Sequence, residues 1–256
     1  MKSWRNEDCT VNGLEFSCRY TESAIEDLFL PLLRKLSAMQ RGKDRRIIVF
    51  LAAPPAVGKS TLALYLEKLS KDQEDLVPVQ ALGMDGFHYP ASIIARRTVD
   101  RDGETVPMKD VKGCPESFDL DGLRNSIKNL KNKQIRWPVY SRKLHDVIPD
   151  AETVNADIII LEGNYLLLDE PGWRELKKYS DYSVMVTTDV QILEERLIGR
   201  KVAGGLSEEE ARSFYETSDK PNVLRVLNRQ VPADLSLRLE EDGDFQKIDI
   251  TTAQPS

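Results

Sequence analysis

Two histidines and three cysteines are all the imidazole and thiol ligands that 256 residues offer a zinc ion. Cys9, Cys18 and Cys114 are odd in number, widely spaced and without CxxC geometry. Neither a structural zinc site nor a disulfide framework is expected, and reduced thiols in a cytoplasmic protein are. Long apolar runs are also missing. Runs such as IIIL at 158–161 and YLLL at 165–168 are far too short to cross a bilayer. The opening MKSWRNEDCT has no apolar core of the kind a signal peptide needs. Nor is charge of one sign concentrated: 42 acidic and 36 basic residues are mixed along the chain for a net −6. With no basic stripe, a nucleic-acid partner is not expected, and neither is a membrane. What remains is an ordinary soluble composition, 41% apolar and 30% charged, enough for one substantial core with modest insertions.

What is present is an α/β pattern behind an N-terminal addition over residues 1–44. Asn12-Gly13 sits between β-prone segments in TVNGLEFSCRY (10–20), a hairpin signal. Residues 22–39 then set Ile25, Leu28, Phe29, Leu32, Leu33 and Leu36 on one helical face, with Thr21 as N-cap. No chemistry is visible there. Over 45–256, apolar runs alternate with helical periodicity. IIVFLAA (47–53) precedes a helix over 59–70, and VPVQALGM (77–84) ends directly at Asp85. A helix over 119–131, short extended pieces over 136–148, and the apolar runs DIIILE (157–162) and YSVMVTT (182–188) follow, then a helix from about Asp189 to Val202. The expected fold is α/β, a mostly parallel sheet with helices on both faces. The long polar segment 96–117, inside a stretch of about 86–118, reads either as substrate-facing or as a solvated excursion.

Residues 53–60, APPAVGKS, with Thr61 behind them, approximate the G-x-x-x-x-G-K-[ST] phosphate loop with Ala53 in place of the first glycine. The loop follows an apolar strand and opens a helix, the setting in which backbone N–H groups converge on a phosphate. Gly58 lets the chain close around an anion, Lys59 brings charge to the β- and γ-phosphates, and Ser60 offers a hydroxyl to Mg²⁺. Pro54 and Pro55 have no N–H, so the cradle falls to Ala56, Val57, Gly58, Lys59, Ser60 and Thr61. If position 53 demands positive φ, Ala53 weakens the loop. ATP and Mg²⁺ are the expected cofactors.

Five segments in matching order, within about residues 45–235, resemble the phosphoribulokinase/uridine kinase superfamily and bacterial-type pantothenate kinases in particular. They are AVGKST (56–61), MDGFHYP (84–90), GCPESFD (113–119), PVYSRKLHDVIP (138–149) and IIILEGNYLLL (158–168). Ser141-Arg142 stands where pantothenate kinases have serine-histidine. His145, five positions after Tyr140, resembles the tyrosine–histidine pair of uridine kinases. EGNYLLLD and RLIGRKVAGGLSEEEA resemble a nucleoside/nucleotide-kinase-like subgroup, some of it associated with sugar import. The resemblance implies a P-loop NTPase fold with a helical lid over about 196–218, and it leaves a homodimer open.

Roles follow from position and from that resemblance. Asp85 stands where a strand ends, and a carboxylate there can take the proton of an attacking hydroxyl. The resemblance implies that role, and the alternative is a turn aspartate before Gly86. Glu162 ends DIIILE and can hold Mg²⁺ directly or through water, or else cap a turn. Arg196 and Arg200, four apart on one helix face ahead of Lys201 and Gly204-Gly205, resemble a cationic lid over the transferring phosphoryl group. Arg200, nearer the glycines, is the preferred contact; the alternative is a solvated face balanced by Glu194 and Glu195. His88, Tyr140, Arg142 and His145 are candidate acceptor contacts. Phe87 is wall or core, and Trp137 and Trp173 are core.

The leading reading is a kinase that moves the γ-phosphoryl group of ATP to a hydroxyl of a small metabolite: a nucleoside such as uridine, a pantothenate-like compound or a sugar. A regulatory NTPase without an acceptor would need a glutamine or Walker-B aspartate to position water, and none is evident. An inactive scaffold sits poorly with Lys59, Ser60, Asp85 and Glu162 all being present.

Overall fold

The computed structural model describes residues 2–248 except Asn12, Asp102, Asn132 and Lys133. The chain opens with the antiparallel hairpin β1 (Trp4–Val11) and β2 (Leu14–Thr21), its turn leaving Gly13 at φ +82°. Asn12, the other half of the expected turn signal, lies outside the described residues. Thr21 starts the helix as expected. Its hydroxyl accepts from the Ala24 N–H at 3.0 Å and donates to the Asp244 carboxylate at 2.6 Å, tying the helix start to the far end of the chain. The helix runs as α1 (Glu22–Ala24), a π-helical turn over Ile25–Phe29 and α2 (Leu30–Arg41). The widened turn immediately precedes Pro31, which has no N–H to give and whose ring crowds the carbonyl four residues back. The same pairing recurs at the π-turn Tyr215–Asp219 before Pro221.

The rest of the chain contributes β3 (Ile47–Ala52), α3 (Lys59–Lys71), β4 (Val79–Gly83), α4 (Ala91–Ile94), β5 (Thr98–Arg101), β6 (Glu104–Pro107), α5 (Leu120–Leu130), β7 (Arg136–Ser141), β8 (Asp146–Thr153) and β9 (Ile158–Gly163). After them come β10 (Tyr182–Thr187), α6 (Val190–Ala203), α7 (Glu208–Phe214), α8 (Lys220–Asn228), β11 (Leu235–Leu239) and β12 (Phe245–Ile248). The central sheet has the order β12-β11-β10-β3-β9-β4, parallel except for the edge strand β12. β3 and β9 have no polar face to show water and take interior places. Successive residues of β3 point to opposite faces. Ile47, Val49 and Leu51 pack with Leu33, Leu36 and Leu62 on one side, while Ile48, Phe50 and Ala52 pack with Leu123, Ile127 and Trp137 on the other.

At the strand starts, the buried Asp181 carboxylate accepts from Lys43 at 2.5 Å, from Arg45 at 2.6 and 3.0 Å, and from the Ile48 N–H at 3.0 Å. That cluster fastens the linker behind α2 to the sheet.

Two segments differ from the sequence expectation, and the helical stretch expected over 196–218 is present. Residues 98–107, read as polar loop, form the hairpin β5–β6 over a small apolar cluster of Ile94, Val99, Met108, Val111 and Cys114. The extended pieces of 136–148 are one hairpin, β7–β8, reaching Thr153. The lid region is the end of α6, then α7 with a Ser207–Glu210 capping box, then the second π-turn. No helix among the described residues is long and apolar enough to cross a membrane, and all three cysteines are free.

Candidate active site

The phosphate loop joins β3 to α3. Among the described non-glycine residues, positive φ occurs at Ala56 (67°), His145 (53°) and Asp150 (50°), so the buried Ala53 requires no glycine. The left-handed steps fall instead at Ala56 and at Gly58 (φ 97°), and for alanine such a step costs about 1–2 kcal/mol. The loop is braced from outside and within. Arg196 Nη1 donates to the carbonyls of Ala56 at 3.3 Å and Val57 at 3.4 Å, and the Thr61 hydroxyl donates to Gly58 O at 2.6 Å. Gly58 is exposed at the N-terminus of the 13-residue α3, whose first-turn N–H groups have no intrahelical partner.

Next to the loop, the ends of β4 and β9 supply carboxylates. Ser60 Oγ donates to Glu162 Oε1 at 2.7 Å. Burial pushes the Glu162 carboxyl up from its ordinary value, against the pull of Lys59's charge and the Ser60 hydrogen bond, while Asp85's charge adds to the upward push. Asp85 lies in the 3₁₀ turn Met84–Phe87 that follows β4. The turn is pressed onto β7: a Cβ on Gly86 would stand 2.1 Å from Pro138 O. His88 comes next, its Nδ1 2.9 Å from Asp85 O and its ring centroid 3.8 Å from that of Phe118. Burial holds the His88 imidazole below its usual pKa.

Two cavities meet here, and Val11, Ser60 and Asp85 line both. The larger, of 650 Å³, takes in Ala56, Gly58, Lys59 and Thr61 of the loop together with His88, Arg142, Arg196 and Arg200. Six cationic side chains line it against two carboxylates, Asp85 and Asp219. The smaller, of 450 Å³, reverses the balance: Glu67, Asp85, Glu152 and Glu162 line it, and no lysine or arginine does. Among the described residues, the side chains of Lys59, Arg142 and Arg200 make no hydrogen bond or ion pair. Arg200 is pushed below the usual arginine pKa by burial and then by the charge of Arg142, against the opposing charges of Asp219 and Asp85.

The residues singled out in the sequence converge unevenly. Val57 is buried beneath the loop and lines neither cavity. Tyr140 faces the smaller cavity. His145 is not brought to either cavity: it sits exposed in the β7–β8 turn with a left-handed backbone, φ 53°. Trp137 and Trp173 are buried core, Trp137 donating its indole N–H to Gly83 O at 2.8 Å. Phe87 is buried edge-on against Trp137. Lys112 escaped the sequence reading. It lines the larger cavity, with Nζ 2.9 Å from Tyr140 Oη and 4.8 Å from the centre of that ring. Its place immediately before the GCPESFD segment was the available signal.

A parallel sheet with a phosphate loop between β3 and α3, carboxylates at the neighbouring strand ends and helices on both faces define a P-loop NTPase fold. The chain belongs to the phosphoribulokinase/uridine kinase family, which it matches over residues 48–237. It is 40% identical over 239 residues to the uncharacterized protein YggC of Escherichia coli (strain K12), covering 93% of this chain and 97% of that one. A pantothenate kinase of Lacticaseibacillus casei (strain BL23) is 32% identical over 173 residues, 66% of this chain and 53% of the relative, so the match spans about half the relative's length. A solved structure from Silicibacter sp. TM1040, provisionally described as a fructose transport system kinase, matches with a TM-score of 0.69 at 30% identity, over 78% of this chain and 98% of that one. Membership makes the chain a P-loop kinase of the phosphoribulokinase, uridine kinase and pantothenate kinase type.

Proposed function

We propose that the chain transfers the γ-phosphoryl group of ATP, with Mg²⁺, to a hydroxyl of a small metabolite of the nucleoside, pantothenate-like or sugar class. The observation that carries the reading is a carboxylate at a strand end, Asp85, in the same cavity as the unpaired cations Lys59 and Arg200. An anion-binding loop alone would need no such carboxylate. The N–H groups around residues 56–61 hold the triphosphate, and Lys59 meets its β- and γ-phosphates. Asp85 accepts the proton of the acceptor hydroxyl. Arg200, with Arg196 behind the loop, stabilises negative charge on the moving phosphoryl oxygens.

The Ser60–Glu162 pair suits Mg²⁺, because both side chains are hard oxygen donors 2.7 Å apart at the loop. This ion commonly keeps several waters and uses one or two protein ligands plus phosphates, so a pair suffices where no larger metal-binding group exists among the described residues. Bound Mg²⁺ neutralises charge on the phosphates. In the same proposal residues 45–256 form the kinase domain and residues 1–44 an addition to it.

The test is ADP release by purified protein with MgATP and a panel of nucleosides, pantothenate, pentoses and ketoses. Release is expected only with an acceptor present, and excess chelator is expected to abolish it. Equal release without any acceptor would favour the regulatory NTPase.

A further inference from the structure

The kinase reading leaves positive charge over. Loop N–H groups, Lys59, Arg196 and Arg200 already address the triphosphate, yet Lys112 and Arg142 line the same cavity from the other side, beside Asp85 and His88. Neither belongs to the loop or to α6: Lys112 follows the 3₁₀ turn Met108–Val111, and Arg142 follows β7. We infer that Arg142 and Lys112 form an anion subsite for the acceptor, so that the preferred acceptor carries a carboxylate or phosphate group in addition to the hydroxyl that is phosphorylated. This rests on the kinase reading and narrows it.

Lys112 is held in place. Its Nζ lies 2.9 Å from Tyr140 Oη and 3.4 Å from the His145 carbonyl, which fixes its position without neutralising it. Arg142 is half-buried and makes no hydrogen bond or ion pair among the described residues. Two guanidinium groups, Arg142 and Arg200, therefore feel each other's charge across a cavity with no carboxylate paired to either. Of the nearby acids, Glu162 is hydrogen-bonded by Ser60 and feels Arg142 only as the last of several influences, while Asp85 and Asp219 share the cavity wall without an ion pair to Arg142. Like charges at partly desolvated positions are unfavourable unless an anion lies between them. A guanidinium stays charged at any working pH and matches carboxylate or phosphate oxygens two at a time. The adjoining cavity, with four carboxylates and no lysine or arginine, repels the same group and sends it to the Arg142 side.

The experiment compares matched acceptors that differ only in the anionic group: pantothenate with panthenol, and ribose 5-phosphate with ribose. The two pairs separate a carboxylate from a phosphate preference. Wild-type kcat/KM is expected to favour the anionic member of at least one pair by about 10²-fold, the scale of a charge-assisted bidentate contact. Arg142→Gln should bring that ratio below about fivefold through the KM of the anionic member, and Arg142→Lys should keep an intermediate ratio. A parallel titration reads binding without turnover, using calorimetry of the same pairs on protein saturated with Mg²⁺ and a non-hydrolysable ATP analogue. Preference for the neutral members, or anionic binding as tight in Arg142→Gln as in wild type, would overturn the subsite. So would an equal fall in kcat for both members, which would make Arg142 a contact of the transferring phosphoryl group. Arg142-dependent binding with no ADP release from any acceptor would leave the subsite standing and contradict the kinase reading instead.

Discussion

Gly86 places Asp85 by having no side chain of its own. A Cβ there would meet Pro138 O at 2.1 Å and Val139 N at 2.8 Å, both backbone atoms of a paired strand that cannot swing aside. Gly86→Ala is expected to destabilise the fold by about 1–3 kcal/mol through overpacking and to move the Asp85 turn off β7. Thermal unfolding and turnover measured together check this, and an unchanged melting temperature would contradict it. The residues of this turn were legible because the MDGF segment stands out after an apolar run. The reason for the glycine was not, because it depends on a strand more than fifty residues away. Ala53 teaches the reverse: the absent first glycine looked like a weakness, and the left-handed backbone falls at Ala56 and Gly58 instead. Lys112 was missed because a lysine in a polar segment reads as solvated, whereas its place in the cavity wall and its contact with Tyr140 show otherwise.

Among the elements, the interior strands were the easiest to read. β3 is an apolar run throughout and β9 is one up to Glu162 at its end, and such runs have few alternatives to the middle of a parallel sheet. β5 and β6 were not legible, because TVDR and ETVP carry little apolar alternation and are stabilised by the cluster beneath them. The two π-turns were invisible as well, since they answer prolines inside helices that propensity alone would not end. The linker between α2 and β3 looked featureless, yet Lys43 and Arg45 converge on Asp181. Burial alone would raise that carboxyl. The hydrogen bonds from Arg45, Lys43 and the Ile48 N–H, with Lys131's charge, outweigh burial and hold it below the usual carboxylate range. A carboxyl lowered by folding stabilises the fold fully above its unfolded value of 3.8, and that contribution fades as pH falls through the folded value. Asp181→Asn should therefore cost about 1.5–3 kcal/mol at neutral pH, the scale of hydrogen bonds to a charged group whose partners are partly solvated, with the gap to wild type narrowing in acid. Denaturant unfolding at neutral and acid pH reads this, and a loss below about 1 kcal/mol would contradict it.

For the molecule as a whole, charge is arranged against its own average. The chain is net −6, yet six cationic side chains converge on one cavity at the carboxyl ends of the parallel strands. Such a cavity concentrates field and draws anions through an otherwise repelling surface. Asp85 sits at its junction with the acidic cavity. In the proposed reading it faces the acceptor while the backbone around residues 56–61 holds the triphosphate, which predicts that nucleotide binding and phosphoryl transfer can be separated by one atom's change. Asp85→Asn keeps the shape and much of the hydrogen bonding of the side chain and removes its capacity to take a proton. On one preparation, calorimetry should give an ATP Kd within about threefold of wild type, while kcat with the best acceptor falls by about 10²–10⁴. An unchanged kcat, or lost ATP binding in a normally folded protein, would contradict the assignment of Asp85 as the base.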